Sequence, residues 1–330
     1  MAKSRVLLVG AGGIGTVAAL NLEHGELASV SCVLRSNFEV VNEKGFTIDS
    51  CDHGQLENWK PTEVLKRIPT ADSNSPFDYI VCCTKNIADV SPALVDIISP
   101  AVTDKHTVIV LIQNGLNIER PILARFPDNI VLSGVSRADA HEIKPGHIQQ
   151  KQPDMLNIGV FPHPNRPVHD LKRAAEDFVR VYSASGRTKC KHEPNVGLDR
   201  WTKLVYNACL NPICTLTGLD TGSLQLHEHS MVTLVRPAMR EVVSVASAGG
   251  YSLPDDIIER TLAGNPIEQR IAPSMLVDLR KGNLIEHENI LGEVVREARA
   301  VGVDTPVLTM LYNLCCSVQY RLKLARGITS

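Results

Sequence analysis

The 330-residue sequence predicts an α/β domain followed by an all-helical one, and three observations carry that prediction. Arg5 to Val9 is a short apolar run of the kind a fully buried parallel strand needs. Gly10-Ala11-Gly12-Gly13-Ile14-Gly15 follows it at once, ahead of a helical stretch from Val17 to Leu22. Apolar, β-rich runs then alternate with helical or loop segments, the pattern of a mainly parallel sheet. After Glu193-Pro194-Asn195 the strand signals nearly vanish and helical periodicity takes over. The boundary falls near residue 193, separating an α/β domain over 1-193 from a helical domain over 194-330.

Taken in order, Val30 to Leu34 closes a first βαβ unit, and Tyr79 to Thr84, Thr107 to Ile112 and Asn129 to Leu132 supply further strands. Residues 52 to 76 are polar and carry Pro61, Pro69 and Pro76. They read as a surface excursion with one short helix from Pro61 to Arg67. Val135 to Gly159 mixes Gly, Pro and polar residues with short alternating pieces, as in an antiparallel extension. His169 to Ser185 is an amphipathic helix, and Arg187 to Lys191 a last strand. In the second half Pro254, Pro273 and Pro306 each stand where a helix can begin, because a first turn tolerates proline.

Composition removes several classes of function. Thirty-four basic residues against 36 acidic ones leave a formal charge of −2 and no basic run, so there is no field to hold a nucleic-acid backbone. The longest apolar runs, such as Val108 to Ile112, fall far short of the ~20 residues of a membrane helix, so no membrane partner is expected. Nine cysteines, an odd number lying mostly in apolar segments, read as reduced thiols in a reducing compartment. The chain enters a strand by Arg5, leaving no room for a leader, and Ile328-Thr329-Ser330 carries no readable address. The expectation is a cytoplasmic protein.

Gly10-x-Gly12-x-x-Gly15 lies between a strand and a helix, the context in which this spacing is informative. The first glycine permits the tight turn, the second lets backbone approach a pyrophosphate, and the third allows close helix–strand packing. The helix start at Gly13-Ile14 offers free N–H groups to the phosphates. A Rossmann-type dinucleotide-binding domain follows, with Ala11 completing the loop. At the end of the second strand, where an acidic residue would bind the ribose of NAD, stand Leu34-Arg35-Ser36-Asn37. A guanidinium and a hydroxyl suit a 2′-phosphate, so Arg35 and Ser36 point to NADP(H). Thr84-Lys85-Asn86 and Gln113-Asn114-Gly115 follow two further strands. There Lys85 would reach the phosphates or ribose, and Asn114 the nicotinamide side; a plain Asn-Gly turn is the simpler alternative.

The sharpest signal in the helical half is a helix read from Leu198 to Cys209, interrupted soon afterwards by Pro212. Lys203, Asn207 and Asn211 recur every four residues, which puts them on one face spanning roughly 80°. A lysine and two asparagines among Leu204, Val205, Ala208, Cys209 and Leu210 are costly to bury without partners; the alternative is a solvated stripe.

These motifs, followed in order by Ser274-Met275-Leu276-x-Asp278 and Glu286, make the chain resemble the ketopantoate reductase (2-dehydropantoate 2-reductase) family over nearly its whole length. The resemblance implies an NADP(H)-dependent oxidoreductase that reduces a small 2-keto acid, first of all ketopantoate, held in a cleft between the two domains. It implies Lys203 as the general acid, with Asn207 and Asn211 orienting it and the substrate. Ser274 would meet the substrate carboxylate and Glu286 a substrate hydroxyl and the cofactor. Asn114 would hold substrate or nicotinamide, and Lys85 the cofactor.

Two departures mark the specificity end. The family's glutamate sits in a Thr-Glu-Ile-Asp run leading to Asn-Gly, whereas this chain has Ile285-Glu286-His287-Glu288-Asn289-Ile290-Leu291-Gly292. Ile271 stands three residues before Ser274, where an asparagine is common. They fit a reductase of another keto acid or ketone; a non-catalytic NADP(H) sensor is the rival outside enzymology. Neither His227-Glu228-His229 nor Glu286-His287-Glu288 has the spacing that brings two ligands to one helix face, so no metal is expected. Cys82-Cys83 and Cys315-Cys316 read as packed residues. Part of the helical segment after Asp304 is a candidate homodimer contact.

Overall fold

A computed structural model describes residues 2–328. Met1, Thr329 and Ser330, and with them most of the C-terminal tripeptide, lie outside the described residues. The chain divides into two compact units. One contains residues 1–85, 92–113 and 118–196, and the other 86–91, 114–117 and 197–330.

Among the described residues the first unit contains twelve strands: β1 (Ser4–Val9), β2 (Ala28–Val33), β3 (Phe46–Ser50), β4 (Gly54–Trp59), β5 (Glu63–Leu65), β6 (Tyr79–Cys82), β7 (Val108–Leu111), β8 (Val131–Ser136), β9 (Ala140–Lys144), β10 (His147–Gln150), β11 (Met155–Val160) and β12 (Lys189–His192). Eight form one sheet in the order β12-β11-β8-β7-β6-β1-β2-β5. All neighbours run parallel except β8 and β11. The order from β5 to β8 is that of a doubly wound dinucleotide-binding sheet. Alternate residues of β1 feed two cores, Val6 and Leu8 on one face and Leu7 and Val9 on the other. That explains the unbroken apolar run, since a parallel strand is buried on both sides. Leu171, Ala175, Phe178 and Tyr182 of the helix Val168–Tyr182 are buried at helical spacing.

The excursion at 52–76 is corrected by the structure. Residues 63–65 are strand, not helix: β5 pairs parallel with β2, matching Val64 to Cys32 and Leu65 to Val33. Edge pairing to an existing strand satisfies the backbone that a single helical turn would leave open. A second sheet, β4-β3-β10-β9, was not anticipated as such; β3 and β10 pair in parallel across 100 residues of sequence, a contact that local pattern does not reveal.

The second unit is helical and has its own core, in which Leu204, Val205, Leu210, Val235, Val242, Leu276, Leu291 and Leu308 are buried. Helices begin at Ser274 behind Pro273 and at Pro306, as proline placement predicts. The helix expected from Leu198 to Cys209 begins and ends two residues earlier. It spans Val196–Asn207, and a new helix, Leu210–Thr217, begins after Ala208-Cys209. Pro212 falls in the first turn of that second helix; with no N–H it cannot carry the first helix onward. Among the described residues no helix is long and apolar enough to cross a membrane.

Candidate active site

In the first unit the loop from Gly10 to Gly15 joins β1 to the helix Gly13–His24, and its shape depends on absent side chains. Gly10 has φ +95°, and a Cβ there would stand 2.6 Å from Thr84 Cγ2. A Cβ on Gly13 would stand 2.1 Å from the Ala140 carbonyl oxygen, and one on Gly15 2.0 Å from that of Gly10. Gly12 differs: no protein atom lies within 4 Å of its Cβ position, so the backbone there is open to a close approach. Gly12 is the N-cap of the helix, and the first turn contains no acidic residue. A glycine cradle open at its centre, with helix N–H groups behind it, fits a dinucleotide pyrophosphate.

Asn37 secures the loop from the side, donating from Nδ2 to the Ala11 carbonyl oxygen at 3.1 Å and to Glu142 Oε1 at 2.8 Å. Just before it Arg35 and Ser36 are exposed at the end of β2. On the loop after β6, Thr84 accepts from Gln113 Nε2, which follows β7, through its carbonyl oxygen at 2.8 Å and its hydroxyl at 3.0 Å, and Lys85 is exposed beside Thr84.

The second unit gathers most of the other predicted residues. Lys203 Nζ donates to Asn114 Oδ1 at 2.7 Å. Asn207 and Asn211, both buried, remain neighbours across the helix break, with Asn211 Nδ2 3.3 Å from Asn207 Oδ1. Asn211 Oδ1 in turn accepts the Met275 N–H at 3.4 Å, which sets the start of the helix Ser274–Arg280 beside it. Glu286 is 5% exposed, and its Oε1 accepts the Asn86 N–H at 2.8 Å. Ser274 is half-buried at its helix start.

Sequence reasoning passed over three residues. Arg200 NH1 donates to the Gly115 carbonyl oxygen at 2.8 Å. Asn86 Nδ2 donates to Asn289 Oδ1 at 3.1 Å, and Asn289 Nδ2 to the Leu116 carbonyl oxygen at 3.0 Å. Asn86 adjoins Lys85, Arg200 lies one helical turn before Lys203, and Asn289 lies one turn past Glu286. Proximity to motif residues was the available signal.

Among the described residues, His287, Glu288 and Cys316 could bring ligand atoms to one ion, a grouping that spacing along the chain did not suggest. Here Glu288 is already engaged. It accepts from Tyr312 Oη at 2.8 Å and Arg296 NH2 at 2.9 Å, and His287 Nε2 is 3.3 Å away. Hydrogen bonds from His287 lead the effects that hold its carboxyl down at about 2, while burial pushes the Cys316 thiol up. A carboxylate already matched by a guanidinium, beside a protonated thiol, makes a self-contained polar cluster. Burial likewise pushes the Cys82 thiol up to about 12, in keeping with a packed residue.

A glycine cradle at the head of a doubly wound sheet and a lysine–amide cluster on helices define a dinucleotide-binding α/β protein with a second, helical unit. The comparisons make this particular. The family model described as ketopantoate reductase PanE/ApbA matches residues 6–163, and its C-terminal counterpart residues 195–319. The chain belongs to the ketopantoate reductase family. It is 38% identical to an uncharacterized protein of Saccharomyces cerevisiae, over 98% of this chain and 96% of that one. It is 23% identical to the 2-dehydropantoate 2-reductase of a Nostoc species, over 95% of this chain and 94% of the relative. The crystal structure of 2-dehydropantoate 2-reductase from Methylococcus capsulatus superposes with a TM-score of 0.78 at 33% identity, covering 96% and 97% of the two chains.

Proposed function

We propose that this protein reduces a 2-keto acid to the 2-hydroxy acid with NADPH, with 2-dehydropantoate as the first substrate to test. The observation that carries the reading is the 2.7 Å hydrogen bond from Lys203 Nζ to Asn114 Oδ1, which holds an ammonium group at a fixed place against a half-buried amide. On this reading residues 1-193 serve the cofactor and 194-330 the substrate. Gly10 to Gly15 would hold the pyrophosphate, Arg35 and Ser36 the 2′-phosphate, and Lys85 the remainder of the phosphate–ribose chain. NADPH, when bound, supplies a hydride.

As hydride adds to the substrate's C2, the carbonyl π pair moves onto oxygen. Lys203 gives that oxygen a proton and is left as a neutral amine. An ammonium is suited to this step because it stabilises the growing alkoxide charge and then removes it. Asn114, Asn207 and Asn211 orient Lys203 and the substrate, Ser274 binds the carboxylate, and Glu286 binds a substrate hydroxyl and the nicotinamide ribose side. Ile271 and the run from Glu286 to Gly292 favour a second reading, the same chemistry on a different 2-keto acid. Losing one hydrogen-bond partner at the far end of a substrate costs ~1–3 kcal/mol of discrimination.

The test is NADPH consumption with 2-dehydropantoate and a panel of other 2-keto acids, for wild type and Lys203→Ala, with NADH in parallel. Turnover that falls ~10²–10⁴-fold in the variant while NADPH still binds is the expected result. NADPH binding with no turnover of any keto acid would favour the sensor. We also place a homodimer contact on the helix Pro306–Ala325, where Met310, Leu314, Tyr320 and Leu324 are exposed. Sedimentation of Met310→Glu/Leu314→Glu should show monomers if this is right; an unchanged dimer would move the contact elsewhere.

A further inference from the structure

Asn289 touches neither substrate nor cofactor in the mechanism above, yet two separate loop segments of the helical unit are tied to it. We infer that Asn289 is a positioning residue that sets where Asn114, and through it Lys203 Nζ, stands; this rests on reading Lys203 as the acid.

The Asn289 side chain is 8% exposed and both ends of its amide are used. Nδ2 donates to the Leu116 carbonyl oxygen at 3.0 Å, and Oδ1 accepts from Asn86 Nδ2 at 3.1 Å. Its main-chain carbonyl oxygen also accepts the Leu116 N–H at 2.8 Å. That carbonyl lies in a π-helical turn, Glu288–Gly292, a wide turn of a type frequent at functional sites. Gly115 completes the fit. Its φ is +98°, and a Cβ there would stand 2.6 Å from both Asn289 Cβ and the Asn289 carbonyl oxygen. The loop therefore seats against Asn289 in one register, and the residue before Gly115 is Asn114, the acceptor of Lys203. On the other side Asn86 gives its backbone N–H to Glu286 at 2.8 Å. That bond is made by the Asn86 main chain and not by the Asn289 amide, whose other end is the one that bears on Asn114.

The loop has other holds. Arg200 NH1 donates to the Gly115 carbonyl oxygen at 2.8 Å, and Asn117 Nδ2 donates to Glu297 Oε1 at 2.8 Å. Without the Asn289 amide the segment stays attached, and what it loses is accuracy at Asn114. A proton donor displaced by ~1 Å loses ~100-fold in rate, so the effect should be kinetic before it is structural.

The experiment compares wild type, Asn289→Ala, Asn114→Ala and the double variant. Asn289→Ala should lower kcat roughly 10- to 100-fold and leave NADPH affinity unchanged. In the Asn114→Ala background the same substitution should add less than about twofold, because its effect passes through Asn114. Losses that multiply in the double variant would overturn the inference. Hydrogen exchange of the intact variant supplies a readout free of turnover: amides in 86–91 and 114–117 should exchange faster while the rest of the helical unit does not change. Exchange that rises throughout that unit would make Asn289 plain scaffold, and exchange that does not change would remove its hold on the loop. A wild type that turns over no keto acid would sink the reading of Lys203 and the catalytic half of this inference, while the exchange data still decide whether Asn289 sets the loop.

Discussion

The two units reach their chemistry by opposite means. The glycine loop of the first is defined by missing side chains: Gly10, Gly13 and Gly15 lie where any Cβ would meet backbone or side chain at under 3 Å, and Gly12 lies where nothing does. The site of the second is built from amides, Asn86, Asn114, Asn207, Asn211 and Asn289, each bonded to another side chain or to backbone. A steric site fails all at once when filled. A hydrogen-bonded one degrades by steps, since each lost bond leaves others in place. The contrast fits the division of labour proposed, a shared cofactor on a rigid backbone surface and a substrate read by adjustable polar groups.

Two substitutions probe that contrast, and a third bears on the stability of the first unit alone. The largest effect belongs to Gly13→Val. Its Cβ has no room against Ala140, so the loop must shift from β9, and NADPH affinity should fall more than ~100-fold with a loss of ~1–3 kcal/mol in the first unit. Fluorescence titration and calorimetry would read both, and a variant that binds NADPH normally would break the steric account. Lys203→Ala should do the reverse, sparing NADPH binding and removing turnover.

The smallest effect concerns His53, away from either site. It is buried, its Nε2 lies 2.8 Å from Asn21 Oδ1, and Asn21 Nδ2 donates to Asp154. Burial, with His24 and Arg187 nearby, holds its pKa down at about 4 against an ordinary 6.5. The unfolded chain takes up this proton near pH 6.5 and the folded one only near 4, so the contribution is complete above 6.5 and lost as pH falls through that window. Asp154, raised by burial, works in the opposite direction at the acid end. The melting temperature should fall between pH 6.5 and 4, and His53→Gln should flatten the slope by a few degrees; an unchanged slope would assign it to other groups.

The steric site was readable in the sequence because glycine at fixed offsets between a strand and a helix has few other causes. The buried strands were readable too, each an apolar run too short for a helix. Glu63-Val64-Leu65 misled because three residues after a proline suit a helical start equally well, and only β2 alongside decides for strand. The break at Ala208-Cys209 misled because fourfold spacing continues through it, and the two helices keep Asn207 and Asn211 adjacent regardless. Asn86, Arg200 and Asn289 were silent for a plainer reason. Their partners lie between 85 and 203 positions away, and nothing in the local pattern distinguishes an asparagine that clamps a loop from one that faces water.

The chain enters the second unit at residue 86, leaves it at 92, re-enters at 114, leaves at 118 and returns for good at 197. Asn86 and Glu286, which share a hydrogen bond, are therefore 200 residues apart in order of synthesis. At ~5–20 residues per second a ribosome needs about 10–40 s to cover that distance. Throughout that interval the short segment around Asn86 waits for contacts that have not yet been translated. The helical unit is completed only when its last third arrives, and a fragment beginning at Gly197 would carry Lys203 and Glu286 without Asn114 and Asn86. In the life of each molecule, the contacts of Asn86 and Asn114 are therefore made long after those two residues are.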